Sequence, residues 1–470
     1  MAADAFDAVV VGSGPNGLAA AITLGEAGRR VLVLESAGRP GGGLRSEELI
    51  EPGCRHDLCA TVAGLLPLSP ALGKLRFDLV TPRAAMAHPF DDGTAAAVEG
   101  SVSTTAATLG DDGPAYRRLL RPLVARAAEV VEAALGPIRV PRHPLLLARF
   151  GLPAVLPAAL LGGLTFKGRD ARAILAGMSA HSMLPLTEPG SAAAGLVMLV
   201  SAHATGWPFV RGGSASAAES MVRRIEALGG EVRCGTPVSS VDELPAHRAA
   251  LFDVMPGALV RIAGRRLSES YRRQLEKYRH GPGVFKVDWV LDGPIPWQAP
   301  ACLRAGTVHL GGTADEVVAA ELEVAEGGHP RHPFVLLTQP TLFDPTRATP
   351  GRQVAWAYCH VPNGSDRDMT STIEAQVERF APGFRARVRG RCTWSPSQIE
   401  ELDPNCVGGD IGGGRSDLRQ LLTRPAARRD PYRTSDPSLF LCSAATPPGG
   451  GVHGLCGWYA ARSALRSALA

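Results

Sequence analysis

Gly12, Gly14 and Gly17 lie in AVVVGSGPNGLAAAITL, and Gly449, Gly451 and Gly454 repeat the G-x-G-x-x-G spacing in TPPGGGVHGLCGWYAARSAL. Glycines so spaced permit a tight turn and let the main chain approach a pyrophosphate, while the following helix turns its free N–H groups and dipole toward the negative charge. Pro15 and Asn16 open that helix in the first motif. Glu35 closes VLVLE, where a carboxylate holds ribose hydroxyls and disfavours a 2′-phosphate. Strand, glycines, helix and acid agree, so the first motif reads as a dinucleotide site. After Gly454 there is room for one helix only, so the second triad is expected to serve the other end of the same ligand.

Other reactive groups are sparse. Lysine occurs only at positions 74, 167, 277 and 286, and Lys286 stands in the apolar run KVDWVL. A buried ammonium needs a partner or a depressed pKa; a lysine reaching solvent from an edge strand is the alternative. His181, His203, His309, His360 and His453 are acid–base candidates or structural histidines. His203 and Trp207, in SAHATGWPF, are candidates for lining a substrate pocket. The nine cysteines are scattered without a C-x-x-C, which fits a reducing compartment and excludes a zinc or disulfide framework. No metal-ligand spacing, P-loop or nucleophile elbow is present, so no metal is expected. A net charge of +4 gives no nucleic-acid surface.

Three stretches carry a family resemblance. ESAGRPGGGLRS (35–46) is similar to the motif with which glutathione-reductase-like flavoproteins, above all the amine oxidase and phytoene desaturase branches, wrap the FAD diphosphate. LFLCSAATPPGGGVHG resembles the C-terminal motif of phytoene desaturases, and GWPFVRGGSASAAESM falls between the two in the family's order. The resemblance covers most of the chain and implies FAD. The implied contacts are Gly12, Gly14, Pro15, Asn16, Gly17, Glu35, Ser36, Gly41, Gly42, Gly43, Arg45, Ser46, Val238, Ser443, Ala444, Gly451, Val452 and His453. Val238 stands in for the adenine-contacting strand, although the hairpin after Val241 is short here. Ala444 replaces the family's acid at the ribityl chain. KVDWVLDGPIPW resembles the amine oxidase strand whose lysine holds a water at flavin N5, and His453 falls where the family places the flavin ring. Lys286 and His453 are therefore the catalytic candidates.

Periodicity predicts the elements that must position these groups. Strands at 7–11 and 30–35 flank a helix at 15–27, and an amphipathic helix covers 114–135. A strand pair is expected in EVRCGTPVSSV, a short strand in RAALFDVMP, and strand-like runs over 284–310 and 333–361. A helix follows at 371–384, then a strand at 439–445 and a helix at 452–469. The fold expected is α/β. A Rossmann-like, glutathione-reductase-type FAD domain is assembled from 1–75, 205–265 and 395–470, with an inserted α+β substrate domain from 76–204 and 266–394.

Residues 144–166 are long enough to span a bilayer, but Arg149, Pro153, Pro157 and a glycine pair argue against a span. They read first as buried or pocket-lining helices, and second as a peripheral membrane patch. The N-terminal strand starts too early for a signal peptide, so a cytoplasmic location is expected. The resemblance implies an FAD-dependent oxidoreductase that removes hydride from a C–H bond of a hydrophobic small molecule, reoxidised by dioxygen or a quinone. A flavin amine oxidase or an FAD-dependent isomerase or saturase is the alternative chemistry. A non-catalytic FAD-containing binding or assembly protein is the alternative of another class.

Overall fold

The computed structural model describes residues 6–137 and 142–470. AVVV, VLVL, AALF and LFL are unbroken apolar runs, which suit strands covered on both faces. They make four strands of a five-stranded sheet, in the spatial order Leu439–Leu441, Ala249–Phe252, Ala8–Val11, Val31–Leu34, Glu231–Arg233. Every neighbouring pair is parallel, with Val11 level with both Leu34 and Phe252, and Phe252 level with Leu441. The chain thus leaves the sheet at residues 12, 35, 253 and 442 along one carboxyl edge, which is where ligands bind in open α/β sheets.

Helix Pro15–Glu26 begins from extended Gly14 with proline in its first turn, and Gly28, at φ +73°, follows its end. A Cβ on Gly17 would lie 2.1 Å from the Gly12 carbonyl oxygen, so the third glycine is what allows helix and strand to meet. The last helix, Leu455–Leu465, packs along this first helix. A Cβ on Gly457 would stand 1.7 Å from the Asn16 carbonyl oxygen, and one on Gly454 would stand 2.6 Å from Ala19 Cβ. Part of the second triad therefore serves helix-to-helix contact.

The other large sheet has seven strands, ordered Val388–Trp394, Gly283–Leu291, Gln353–Val361, Val335–Thr338, Ala305–Leu310, Ala84–Pro89, Ala95–Glu99. Only Ala305–Leu310 and Ala84–Pro89 pair in parallel. Gly283–Leu291 is buried along its whole length and bonded on both sides, so Lys286 belongs to an interior strand.

Three expectations change. The 114–135 helix divides into Gly113–Val124 and Ala127–Ala134, because Arg126 leaves helical backbone shortly after Pro122. EVRCGTPVSSV yields only the strand Glu231–Arg233; Gly235 at φ +64° and Pro237 end it, which leaves Val238 in a loop. Residues 144–166 form Pro144–Ala154 and Ala158–Thr165, bent by 103°. Leu146, Phe150 and Leu161 of this pair are buried, whereas Leu145, Leu152 and Leu164 are exposed. Among the described residues no single helix is long and apolar enough to cross a membrane.

Gly457→Ala should cost about 1–3 kcal/mol in chemical denaturation, because the two helix backbones must part. Gly151→Ala, where an added Cβ meets nothing within 4 Å, should be neutral or stabilising. Equal effects would contradict the close helix contact.

Candidate active site

A cavity of about 320 Å³ opens at the carboxyl edge of the parallel sheet. Gly14, Asn16, Gly43, Ser443, Gly451 and Val452 line it from the glycine-rich turns. Leu65, Met198, Trp207, Leu336, Trp356 and Tyr358 supply an apolar and aromatic lining. His181 and the carboxylates of Asp253, Asp403 and Asp410 complete it.

At the first motif Gly12 has φ +98°, and a Cβ on Gly14 would approach Asp253 Oδ2 to 2.7 Å. Glu35 is buried where Val31–Leu34 ends. Its Oε2 accepts from the Ser13 amide at 2.8 Å and the Ser13 hydroxyl at 2.5 Å, and its Oε1 from the Ala37 amide at 2.8 Å. The hydroxyl of exposed Ser36 makes only a long 3.3 Å contact with Oε1. Gly41 and Gly42 take φ of +125° and +54°. Arg45 donates to the carbonyls of Gly42 and Leu402, at 2.9 and 2.5 Å, and so pins the turn to the 402–406 loop. Ser46 Oγ donates to Asp57, away from the cavity, and Val238 is half-buried in its loop.

Asp253 caps the first helix from outside: its Oδ2 accepts from the Gly17 amide at 2.8 Å. Burial, then the nearby charges of Asp403 and Glu35, push this carboxyl up to about 7, against the pull of the Gly17 hydrogen bond. Asp403 is raised as well, mainly by burial.

At the second motif Gly451 and Val452 reach the cavity, but the imidazole of His453 turns into its own loop. Nδ1 accepts from the Leu455 amide at 3.1 Å, and Nε2 faces the Gly450 carbonyl at 3.3 Å. Burial holds this ring neutral, with a pKa of about 4. The geometry is that of a cap for helix Leu455–Leu465.

Lys286 is only 3% exposed. Its Nζ donates to Asp288 Oδ2 at 2.5 Å and to the Asp57 carbonyl at 3.1 Å, and stands 5.3 Å from the centre of the Trp356 ring. Trp394 Nε1 also donates to Asp288 Oδ2, at 3.0 Å, and His56 Nδ1 lies 3.3 Å from Asp288 Oδ1. The lysine borders a small void with Gly43, Cys59, Tyr358 and Asp403, residues that also line the main cavity.

The histidines divide. His203 is bonded to the Tyr116 hydroxyl at 2.7 Å and is not part of the cavity lining. His360 pairs with Glu321 at 2.8 Å. His181 lines the cavity with its Nε2 3.3 Å from His309 Nε2, which leaves Nδ1 as the nitrogen not engaged by that pair. Burial first, then His360, lowers His181 to about 4. Trp207, beside it at 6.0 Å between ring centres, is held at φ +60° with its buried N–H unpartnered. That backbone costs a non-glycine residue about 1–3 kcal/mol and marks a constrained wall.

Residues 10–69 match the family described as NAD(P)-binding Rossmann-like domain. Over 547 aligned residues the chain is 24% identical to the rat pyridine nucleotide-disulfide oxidoreductase domain-containing protein 2, covering 98% of this chain and 93% of that protein. It is 26% identical to a neurosporene-forming phytoene desaturase of Rhodobacter capsulatus, covering 96% and 92%. The structure of wild-type putrescine oxidase bound to putrescine superposes with a TM-score of 0.61 at 20% identity, covering 99% of this chain and 98% of that one. By fold and distant homology, the chain is similar to Rossmann-like flavoproteins of the amine oxidase/phytoene desaturase branch.

The donor set of the cavity fits a dinucleotide. Main chain oriented by Gly12, Gly14 and Gly17 forms a cradle that side chains would fill, Glu35 is fixed as an acceptor, and buried Asn16 Oδ1 has no partner. Asp253 fits beside a diphosphate in its protonated state. Sequence reading missed Asp253, Asp403, Trp356 and Tyr358. Asp253 had a signal, since it follows AALF at a strand's carboxyl end. Trp356, Tyr358 and His360 alternate with Ala355, Ala357 and Cys359, a period-two face visible in QVAWAYCHV. Asp403 sits in a loop, where no periodicity marks it.

The native state binds a proton at Asp253 more tightly than the unfolded chain. Its contribution to stability is therefore full below about pH 4 and is lost as pH rises through about 7. Asp253→Asn should raise the melting temperature of the apoprotein at pH 8 and change it little at pH 4. The reverse ranking would contradict the protonated assignment.

Proposed function

We propose that the cleft binds one FAD and that the protein is an oxidoreductase taking hydride from a C–H bond of an apolar small molecule, with dioxygen or a quinone as the final electron acceptor. The observation that carries this reading is the lining of one cavity. Glycine-rich turns from both ends of the chain form part of it, an aromatic and apolar surface with one imidazole forms another, and the carboxyl groups of Asp253, Asp403 and Asp410 complete it. The distant homology to a phytoene desaturase supports the oxidoreductase class.

In this reading the Gly12–Gly17 turn and the start of helix Pro15–Glu26 would hold the diphosphate, and Glu35 would hold the adenosine ribose. Gly41–Gly43 and Arg45 close over the diphosphate; Ser443, Ala444 and the Gly451–Val452 turn hold the ring end. Bound FAD supplies a two-electron acceptor. The chain's own part is to exclude water with Trp207, Leu336, Trp356 and Tyr358 and to keep an apolar substrate against that acceptor. Loss of hydride from one carbon leaves a cation, and loss of a proton from its neighbour completes a double bond. His181 Nδ1 takes that proton, since burial keeps the ring neutral across the physiological range and His309 backs the far nitrogen. Lys286 orders a water beside the reacting face.

Amine oxidation is the second reading. Trp356 and Tyr358 stack at 5.9 Å and 13°, and such faces attract a substrate ammonium. An apolar polyene and an alkylamine, offered separately to the anaerobic holoprotein, distinguish the two by which one bleaches the flavin.

The test of the oxidoreductase reading is anaerobic photoreduction of the purified protein, followed by mixing with dioxygen, a quinone or NADP+. Rapid reoxidation by dioxygen or quinone, slowed about tenfold or more in Lys286→Met, is expected. A tightly bound flavin inert to every acceptor would overturn the enzyme assignment and leave a binding or assembly role. Unchanged reoxidation in Lys286→Met would remove the lysine from the mechanism.

A further inference from the structure

Five of the eight exposed large apolar side chains among the described residues lie on one bent helix pair or its connection: Leu145, Leu152, Leu160 and Leu164 on the helices and Val155 between them. Leu145 is 87% exposed, Leu152 72% and Leu164 71%, far beyond what scattered surface leucines need. Folding therefore buries one face of the pair, through Leu146, Phe150 and Leu161, and leaves the other without a protein partner. Leu422, 66% exposed, extends the patch: its helix borders a surface pocket together with Leu146, Leu147 and His143.

The charges within residues 142–169 have one sign, while Glu129 and Glu132 border the adjoining pocket. Residues 142–169 contain no aspartate or glutamate, but do contain Arg142, Arg149, Lys167 and Arg169. Arg142 lies 3.7 Å from Glu132, and Arg169 pairs with Asp92 and Asp170. Arg149 and Lys167 are exposed, and among the described residues neither side chain pairs with a carboxylate, although the Lys167 amide donates to Asp112 at 2.9 Å. Lys167 is one of only four lysines in the chain. A solvated surface helix does not need five outward leucine and valine side chains, and a span would not be bent by 103°.

We propose that the pair Pro144–Ala154 and Ala158–Thr165 is a monotopic docking face for an anionic lipid surface. Leu145, Leu152, Val155, Leu160 and Leu164 enter the acyl boundary, while Arg149 and Lys167 meet lipid phosphates. A second copy of the chain is the less favoured occupant, because a two-fold contact centred on this patch would bring its own unpaired cations together. The placement also has a use. Helix Ser191–Thr205 packs against both helices of the pair, and its Met198 and Ser201 line the cavity, so one helix layer separates the docking face from the site. Docking itself does not depend on the redox reading.

The experiment is co-sedimentation of the full-length protein with vesicles of phosphatidylcholine alone, or of phosphatidylcholine and phosphatidylglycerol in equal parts. The wild type should partition onto the anionic vesicles and bind the neutral ones more weakly. Leu152→Asp with Leu164→Asp should reduce binding about tenfold or more. Arg149→Glu with Lys167→Glu should abolish only the preference for anionic lipid. Both pairs are exposed, so melting temperature and flavin content should match the wild type and separate lost docking from lost fold or lost cofactor. No partitioning by the wild type, or wild-type binding by the aspartate variant, would overturn the proposal. So would concentration-dependent dimerisation abolished by Leu152→Asp and Leu164→Asp, which would assign the face to a second copy.

Discussion

Asp57 and Arg347 form an ion pair with no exposed surface on either side chain, and the cleft depends on it. The Asp57 carboxylate accepts from Ser46 Oγ at 2.7 Å, the Ser214 amide at 2.8 Å, Thr61 Oγ1 at 2.7 Å and the Arg347 guanidinium. Arg347 also donates to Asp344 at 3.2 Å and to the Val210 carbonyl at 2.8 Å, and the Asp57 carbonyl receives Lys286. Burial alone would raise the Asp57 carboxyl, but the Arg347 charge and these hydrogen bonds hold it below the usual range. One carboxylate thus joins the segment after the Gly41–Gly43 turn, the start of helix Ala215–Ala227, and the connection between strands Val335–Thr338 and Gln353–Val361 of the mixed sheet. Removing one partner of such a pair leaves a buried charge uncompensated, which costs about 3–5 kcal/mol. The relative placement of the glycine-rich turn and Lys286 is inherited from this joint.

Two glycine triads then share one cavity. The first shapes a turn at the carboxyl edge of the parallel sheet. The second brings Gly451 and Val452 to the cavity, while Gly454 and Gly457 let the two helices touch. Close backbone approach explains both uses of glycine. It also explains why a carboxylate tolerates this place: Asp253 satisfies a helix N–H in either protonation state, and burial favours the neutral one.

The parallel sheet was legible in the sequence because four of its five strands are buried and read as continuous apolar runs, Glu231–Arg233 being the exception. Four strands of the mixed sheet were legible as strand-like segments, whereas Ala84–Pro89 and Ala95–Glu99, in a region expected to be mostly helix and loop, and Val388–Trp394 were not, and the pairing order depends on contacts far apart in the chain. Glu35 and the glycines were found because their chemistry is local. The packing of His181 against His309, and the loop that carries Asp403, are products of tertiary folding. Lys286 was flagged by rarity in an apolar run, yet its partners Asp57 and Asp288 come from a different segment and from its own strand face. The 144–166 stretch was ambiguous for a physical reason: half of it is core and half is surface, and composition averages the two.

The central claim is that both triads serve a single dinucleotide. Calorimetric titration of the apoprotein with FAD, and separately with NAD+ and NADP+, tests it most directly. One FAD per chain and no comparable nicotinamide site are expected. Two dinucleotides per chain, or preference for NAD(P)+ over FAD, would contradict it.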